Sequence, residues 1–159
     1  MGCAHSIGAL GRCYGAGYGV AADHAKAVLL GRESAAAGSC MGQFVVGRCY
    51  DAGWGVAQDD AEAVRFYRLA AAQGYANGHF NLARMFMKGR GVAQDYAEAV
   101  RFYRLAAEQG DADAQFNLGV MFNDGRGVAQ DRAEAIRWYR LAAAQGNAIA
   151  QSSLQRLGA

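Results

Sequence analysis

Apolar residues recur at helical spacing along this chain, and the whole pattern then recurs. Over residues 76–88, Ala76, Leu82, Ala83, Met85 and Phe86 fall on one side of a helix, with Asn77, Asn81, Arg84 and Lys88 on the other. This predicts an amphipathic helix, A, that stops at Gly89, where a residue without Cβ can take the left-handed conformation that closes a helix; Gly91 keeps the turn tight. A second helix, B, starts at Asp95, whose carboxylate can accept the orphan amide protons of the first turn, with Glu98 three residues on as in a capping box. Asp59 with Glu62 and Asp131 with Glu134 repeat the arrangement. Helix B places Ala99, Val100, Tyr103, Ala106 and Ala107 inward and Glu98, Arg101 and Glu108 outward before Gly110 ends it.

The period is 36 residues: GYGVAAD from Gly17 returns as GWGVAQD from Gly53 and as GRGVAQD from Gly89 and Gly125. VRFYRLAA at Val64–Ala71 and Val100–Ala107 becomes IRWYRLAA at Ile136–Ala143. Neither helix of a pair can bury its apolar side alone, so successive pairs must stack into one continuous core. The expected fold is all-α, a solenoid of four helix-turn-helix units at about 3–38, 39–74, 75–110 and 111–146, with a capping helix at 147–157 that keeps Leu154 and Leu157 in register. Unit one has Leu30 and Gly31 where the second carries Phe66 and Tyr67, so its B helix lacks the aromatic pair. Gly2 aligns with Gly38, Gly74 and Gly110, so the chain begins at a repeat boundary, and a fragment of a longer protein is one expectation.

The stretch AQFNLGVMFNDGRGVAQDRAEAIRWYRLAAAQG from Ala114 resembles the Sel1-like repeat signature, and the resemblance extends over residues 3–157. It implies a right-handed α-α superhelix of the TPR-like kind, one repeat domain over residues 1–159, and a scaffold or adaptor role through protein binding. Such adaptors act in bacterial envelope, signalling or host-contact complexes and in eukaryotic protein quality control; the compartment of this chain stays unknown, with bacterial cytoplasm or periplasm expected if it is a fragment. Some Sel1-like proteins are linked to binding or cleaving β-lactams. Cysteine-rich Helicobacter relatives carry regular cysteine pairs in each repeat; Cys3, Cys13, Cys40 and Cys49 depart from that pattern.

Bulk properties narrow the function classes. A chain of 159 residues with 53% apolar and 19% charged residues can bury a core and falls outside the disordered range. Its formal charge is +2, from 16 basic against 14 acidic residues, which gives no field calling for nucleic acid or an anionic membrane. No apolar run approaches the ~20 residues needed to cross a bilayer, and no secretory leader precedes the repeats, so a soluble chain without membrane insertion is expected.

Catalytic, cofactor and metal sites are not expected. The cysteine spacings match no zinc pattern, and Cys13 and Cys49 replace Met85 and Met121 at an inward site; a Cys3–Cys40 disulfide stays open. MGCAHS fits a myristoylation pattern, although the repeat already explains Gly2. Gly15, Gly17 and Gly19 follow no predicted strand and precede no Lys-Ser or Lys-Thr, so they are helix terminators rather than a phosphate loop. His5, His24 and His79 have no recurring Ser, Cys or carboxylate beside them, and His79 takes the place of Gln43 and Gln115 near a helix seam.

The open face of helix A is the candidate peptide-binding groove. Arg12, Arg48, Arg84 and Arg156 occupy equivalent positions, interrupted only by Val120, beside Asn81, Asn117 and Ser153 and bordered by Phe44, Phe80 and Phe116. Asn77 and Lys88 vary between units, as a partner-reading surface would. Arginine forks hold carboxylates, asparagine amides can clamp a peptide backbone, and phenylalanine supplies apolar contact, so an acidic or C-terminal peptide segment is the expected ligand. With A helices roughly 10 Å apart, an extended peptide would meet an arginine about every third residue. The competing reading has the phenylalanines packing between repeats and the arginines pairing internally with Asp51 or Asp124. On helix B, Arg65, Arg68, Arg101, Arg104, Arg137 and Arg140 read as a solvated face, with Glu62, Glu98 and Glu134 three residues before an arginine. The alternative functions are a structural module that self-associates through the solenoid ends and a β-lactam-binding or hydrolysing enzyme.

Overall fold

The computed structural model describes residues 2–159, with side chains from Ala4 onward. The lipidation motif at Gly2 and any pairing of Cys3 therefore lie outside the described side chains. Nine helices make up the regular structure of the described residues: α1 Gly2–Ala16, α2 His24–Ala36, α3 Cys40–Ala52, α4 Asp60–Ala72, α5 Ala76–Lys88, α6 Tyr96–Glu108, α7 Ala112–Asp124, α8 Arg132–Ala144 and α9 Ala148–Leu157. Odd-numbered helices are the predicted A helices and even-numbered ones the B helices. The residues gather into two compact units: residues up to Gly78 together with Arg90–Val92, and His79–Gly89 together with Ala93–Ala159.

In the first unit, Ala27, Val45, Val46, Cys49, Ala63 and Tyr67 are buried. Gly47 lies flat against the Tyr67 ring, where an added Cβ would fall 2.8 Å from it. The missing aromatic pair of the first repeat is made good from elsewhere: Val45 and Val46 press on Gly31, and the Trp54 ring from the turn after α3 covers Gly15. Trp54 is held there by stacking on His24 at 5.1 Å. In the second unit, Val100, Tyr103, Leu118, Met121, Trp138 and Tyr139 form the core, and Gly119 faces Tyr139 as Gly47 faces Tyr67.

The predicted capping box forms only in part. Asp95 accepts from the Glu98 amide at 3.0 Å, Asp131 from the Glu134 amide at 3.0 Å, and Asp59 from the Ala61 and Glu62 amides. The glutamate's return bond has no donor to meet, because the amide of the cap residue already reaches a carbonyl of the preceding A helix: Asp59 to Tyr50, Asp95 to Phe86 and Asp131 to Phe122. The freed glutamates pair outward instead, Glu62 with Arg65, Glu98 with Arg101 and Glu134 with Arg137. Asp95→Ala is therefore expected to cost about 1 kcal/mol, as for a lost cap. Glu98→Ala should cost no more than about 0.5 kcal/mol, as for an exposed pair. Urea unfolding of the two variants side by side checks the order.

A second long-range device was not visible in the repeat signature. The glutamine after α4, α6 and α8 reaches back one repeat: Gln73 Nε2 donates to Gly38 O at 3.0 Å and to Gln43 Oε1 at 2.8 Å, and Gln145 Nε2 to Gly110 O and Gln115 Oε1, both at 2.9 Å. At Gln109 the partner is His79, at 3.3 Å from its Nδ1, which places that histidine at the helix seam as predicted. Gln73 and Gln145 thus satisfy a carbonyl at the end of the preceding B helix with a side chain from the next, tying repeats together without apolar area.

Candidate functional site

The arginines predicted to line the A-helix face differ in their partners from Arg65, Arg101 and Arg137 on the B helices. Arg12 is exposed on α1, and Arg48 lies half-buried with its guanidinium 4.9 Å from the centre of the Trp54 ring. In the second unit, Arg84 donates to Asn81 Oδ1 at 3.1 Å, and Arg156 donates to Ser153 Oγ at 3.0 Å. Among the described residues, none of these four makes an ion pair with a carboxylate. By contrast, Arg65, Arg101 and Arg137 on the B helices each have a glutamate partner at 2.8–3.2 Å.

The carboxylates considered as internal partners are committed elsewhere. Asp51 takes Arg90 at 2.8 Å and accepts the Tyr67 hydroxyl at 3.0 Å. Asp124 pairs with Arg126 at 3.2 Å and accepts from Asn123 at 2.9 Å. Arg90, in the turn after α5, also donates through Nε to Asp60 at 3.0 Å, so one guanidinium ties the end of α3 to the start of α4.

That bridge gives the fold an acid-sensitive joint. The hydrogen bond from Arg90 holds the Asp60 carboxyl below its ordinary range. A carboxylate with a pKa lower in the folded than in the unfolded state stabilises the fold above its unfolded pKa of about 4, and that contribution is lost as pH falls through the folded value. Asp60→Asn is expected to unfold at lower urea than the wild type at neutral pH, and the gap should narrow as pH falls below about 4. A gap independent of pH would show that Asp60 acts by packing alone.

The remaining wall residues separate into those that face outward and those that do not. Phe44 is 5% exposed and belongs to the core, not to the groove: it packs on Tyr67 and lies edge-on to Tyr75 at 5.4 Å. Tyr75 stands where Asp111 caps α7, and its ring covers Phe44 while its hydroxyl meets Met41 Sδ. Phe80 and Phe116 pack on Tyr103 and Tyr139 but remain partly exposed. The asparagines are likewise engaged. Asn81 is buried and orients Arg84, Asn77 donates to the Tyr75 hydroxyl, and Asn117 donates to Asp113 O. They set the wall's geometry more than they offer amides to a backbone. Lys88 is exposed at the end of α5.

One concavity of about 360 Å³ opens on the wall of the second unit. Phe116, Val120, Tyr139 and Leu157 give it an apolar floor, and Asn123, Asp124, Ser153 and Arg156 a polar rim. Val120 stands where the other A helices carry arginine, and the shorter side chain leaves this space open. Burial and the nearby Asp124 push the Tyr139 phenol upward, so it stays protonated and able to donate at neutral pH. Leu157 and Tyr139 were not among the predicted wall residues, since the one reads as core packing of the capping helix and the other lies on a B helix.

Two residues able to do covalent chemistry lie in the core. Cys49 is buried and its thiol is pushed up to about 11 by desolvation, far from the thiolate a nucleophile needs. Ser34 is buried and donates to Ala4 O at 2.6 Å. Among the described residues, no three His, Cys, Asp or Glu side chains gather as metal ligands, and no helix is long and apolar enough to cross a membrane.

Comparison with known proteins places this architecture. A family model described as Sel1 repeat matches residues 4–39, 40–75, 76–111 and 112–147. A protective antigen present in uropathogenic Escherichia coli strains, displaying an SLR fold, is 35% identical over 99% of this chain with a TM-score of 0.86; the match spans 34% of that chain. A Sel1 repeat protein from Oxalobacter formigenes is 32% identical over 96% of this chain and 62% of its own, again with a TM-score of 0.86. Cysteine-rich protein B of Helicobacter pylori, 20% identical over 84% of this chain and 96% of its own with a TM-score of 0.66, shares the fold. The chain thus spans about a third of the length of the Escherichia coli relative and under two thirds of the Oxalobacter one. A comparison with curated proteins gives no match. The fold is an all-α, TPR-like helical solenoid of four 36-residue helix-turn-helix repeats and a C-terminal helix. By its four repeats and these relatives, the chain belongs to the Sel1 repeat family.

Proposed function

We propose that the A-helix face within each unit binds an acidic peptide segment of a partner protein. Sel1 repeat proteins are in general protein-interaction scaffolds, and the residues of this wall narrow the class of ligand. The observation that carries the reading is the set of wall arginines without a carboxylate partner, Arg12 and Arg48 in the first unit and Arg84 and Arg156 in the second. Asn81 and Ser153 hold Arg84 and Arg156 in place at no loss of their charge, so less side-chain freedom remains to be lost when a carboxylate arrives. In the second unit the cleft beside Arg156 accepts an apolar side chain on Phe116, Val120, Tyr139 and Leu157, so a ligand with a carboxylate next to a Leu- or Phe-sized group matches it best.

Fluorescence anisotropy with labelled acidic peptides, each carrying one apolar residue, tests this against peptides of reversed charge. Acidic peptides are expected to bind with an affinity that falls with salt. The double variant Arg84→Ala, Arg156→Ala should lose at least about tenfold, the effect of removing one charged hydrogen-bond donor or more. Arg65→Ala with Arg101→Ala, which removes B-helix arginines already paired with glutamate, should leave binding unchanged. Equal losses in both double variants would reject the wall as the binding surface.

A further inference from the structure

Tyr67, Tyr103 and Tyr139 are equivalent residues of α4, α6 and α8, and Asp51, Met87 and Asn123 are the matching residues of α3, α5 and α7. Asp51 accepts the Tyr67 hydroxyl at 3.0 Å, and Asn123 lines the same cleft as Tyr139. Both of these positions offer a side-chain oxygen. The middle one offers a thioether: Tyr103 is wholly buried, and its hydroxyl reaches Met87 Sδ at 3.7 Å. Thioether sulfur is a weak acceptor, so a hydroxyl removed from water is left short of one good bond. Burial also pushes the Tyr103 phenol up, so it keeps its proton and remains a donor. Met87 itself is only half-buried, whereas Met41, Met85 and Met121 are 8%, 2% and 1% exposed. Among the described methionines it is the one a solute reaches most readily.

We infer that Met87 is an oxidation site, at which a peroxide converts the thioether into a sulfoxide whose oxygen accepts the Tyr103 hydroxyl. A sulfur lone pair attacks one peroxide oxygen, and the O–O bond breaks as the S–O bond forms. With hydrogen peroxide the second oxygen takes up the proton of the first and leaves as water; sulfur is oxidised by two electrons and the peroxide reduced by two. Methionine oxidation ordinarily loosens a core, because it turns an apolar side chain polar. Here the sign is reversed. The half-buried side chain loses little apolar contact, and the new oxygen supplies the second unit with the kind of acceptor that Asp51 gives Tyr67 in the first. Oxidant therefore tightens the seam between α5 and α6 instead of opening it.

The test exposes the intact chain to dilute hydrogen peroxide, with tandem mass spectrometry of the peptide Met85–Lys88 to locate the added oxygen. Met87 is expected to oxidise ahead of Met41, Met85 and Met121. The oxidised protein should melt about 2–4 °C higher, the shift for one ordinary hydrogen bond in a chain of this size. Tyr103→Phe should abolish that rise while Met87 still takes up oxygen, which separates the new bond from any general effect of oxidation. Met87→Leu should also abolish the rise, which removes any share of Met1 in it. The inference is overturned if Met41, Met85 or Met121 oxidises first, if oxidation of Met87 lowers the melting temperature or leaves it unchanged, or if the rise survives either substitution.

Discussion

Gly91→Ala is expected to destabilise the protein by more than about 3 kcal/mol, while Gly74→Ala should cost only about 1 kcal/mol. Both glycines have positive φ, +66° and +76°, so both substitutions carry the left-handed penalty of an L side chain, ~1–2 kcal/mol. They differ in surroundings. Nothing lies within 4 Å of a Cβ on Gly74, whereas one on Gly91 would collide with the Asp60 carbonyl and sit 2.9 Å from the Ala61 amide nitrogen. Those atoms are backbone at the start of α4 and cannot swing aside, so the turn must lift away and weaken the Arg90 bridge to Asp60 that the same turn carries. Gly127 meets Tyr96 in the same way, and Gly55 meets His24, so in these three turns the second glycine is where the turn after an A helix rests on the preceding B helix. Urea midpoints of the two variants decide the point; similar losses would mean that φ alone governs this position.

The second large effect is expected at Tyr103. It is wholly buried, packs on Phe80 at 5.9 Å and belongs to the core of the second unit with Ala83, Leu118 and Met121. Tyr103→Ala should cost about 3–5 kcal/mol, the range for removing a buried aromatic ring and leaving a cavity. The hydroxyl contributes little of this, since it reaches only Met87 Sδ at 3.7 Å, and Tyr103→Phe should cost less than about 1 kcal/mol. Tyr67→Phe makes the comparison informative. The Tyr67 hydroxyl donates to the Asp51 carboxylate at 3.0 Å, and its removal should cost about 1–2 kcal/mol more than the same change at Tyr103. Thermal unfolding of the three variants measures the hierarchy, and a Tyr67→Phe as mild as Tyr103→Phe would remove the carboxylate bond from the account.

Both predictions rest on close approach between A and B helices, at a glycine turn on α4 backbone in the first and across a tyrosine ring in the second. The same relation bears on the proposed binding surface. Because Gly47 and Gly119 take the flat faces of Tyr67 and Tyr139, the aromatic rings stay inside the stack, and the A-helix wall is left to arginine and to the partly exposed Phe80 and Phe116.

The residue pattern by itself determined the elements of this protein. Asp59, Asp95 and Asp131 start helices, Gly53, Gly89 and Gly125 stop them, and the 36-residue period fixes their order, because capping, termination and amphipathic spacing act within about one turn of chain. It also gave the recurrence of the wall arginines. Only the tertiary structure decided how side chains were shared across longer distances. Asp51 went to Arg90, 39 residues away, rather than to a wall arginine, and Gln73 went to Gly38, 35 residues back. Phe44 was covered by Tyr75 while Phe80 and Phe116 stayed partly open, and Val120 made a cleft where its equivalents make a charge. A carboxylate or a ring has several helices within reach in a repeat stack, and which one claims it depends on atomic approach between neighbours, information that a single period of sequence does not contain.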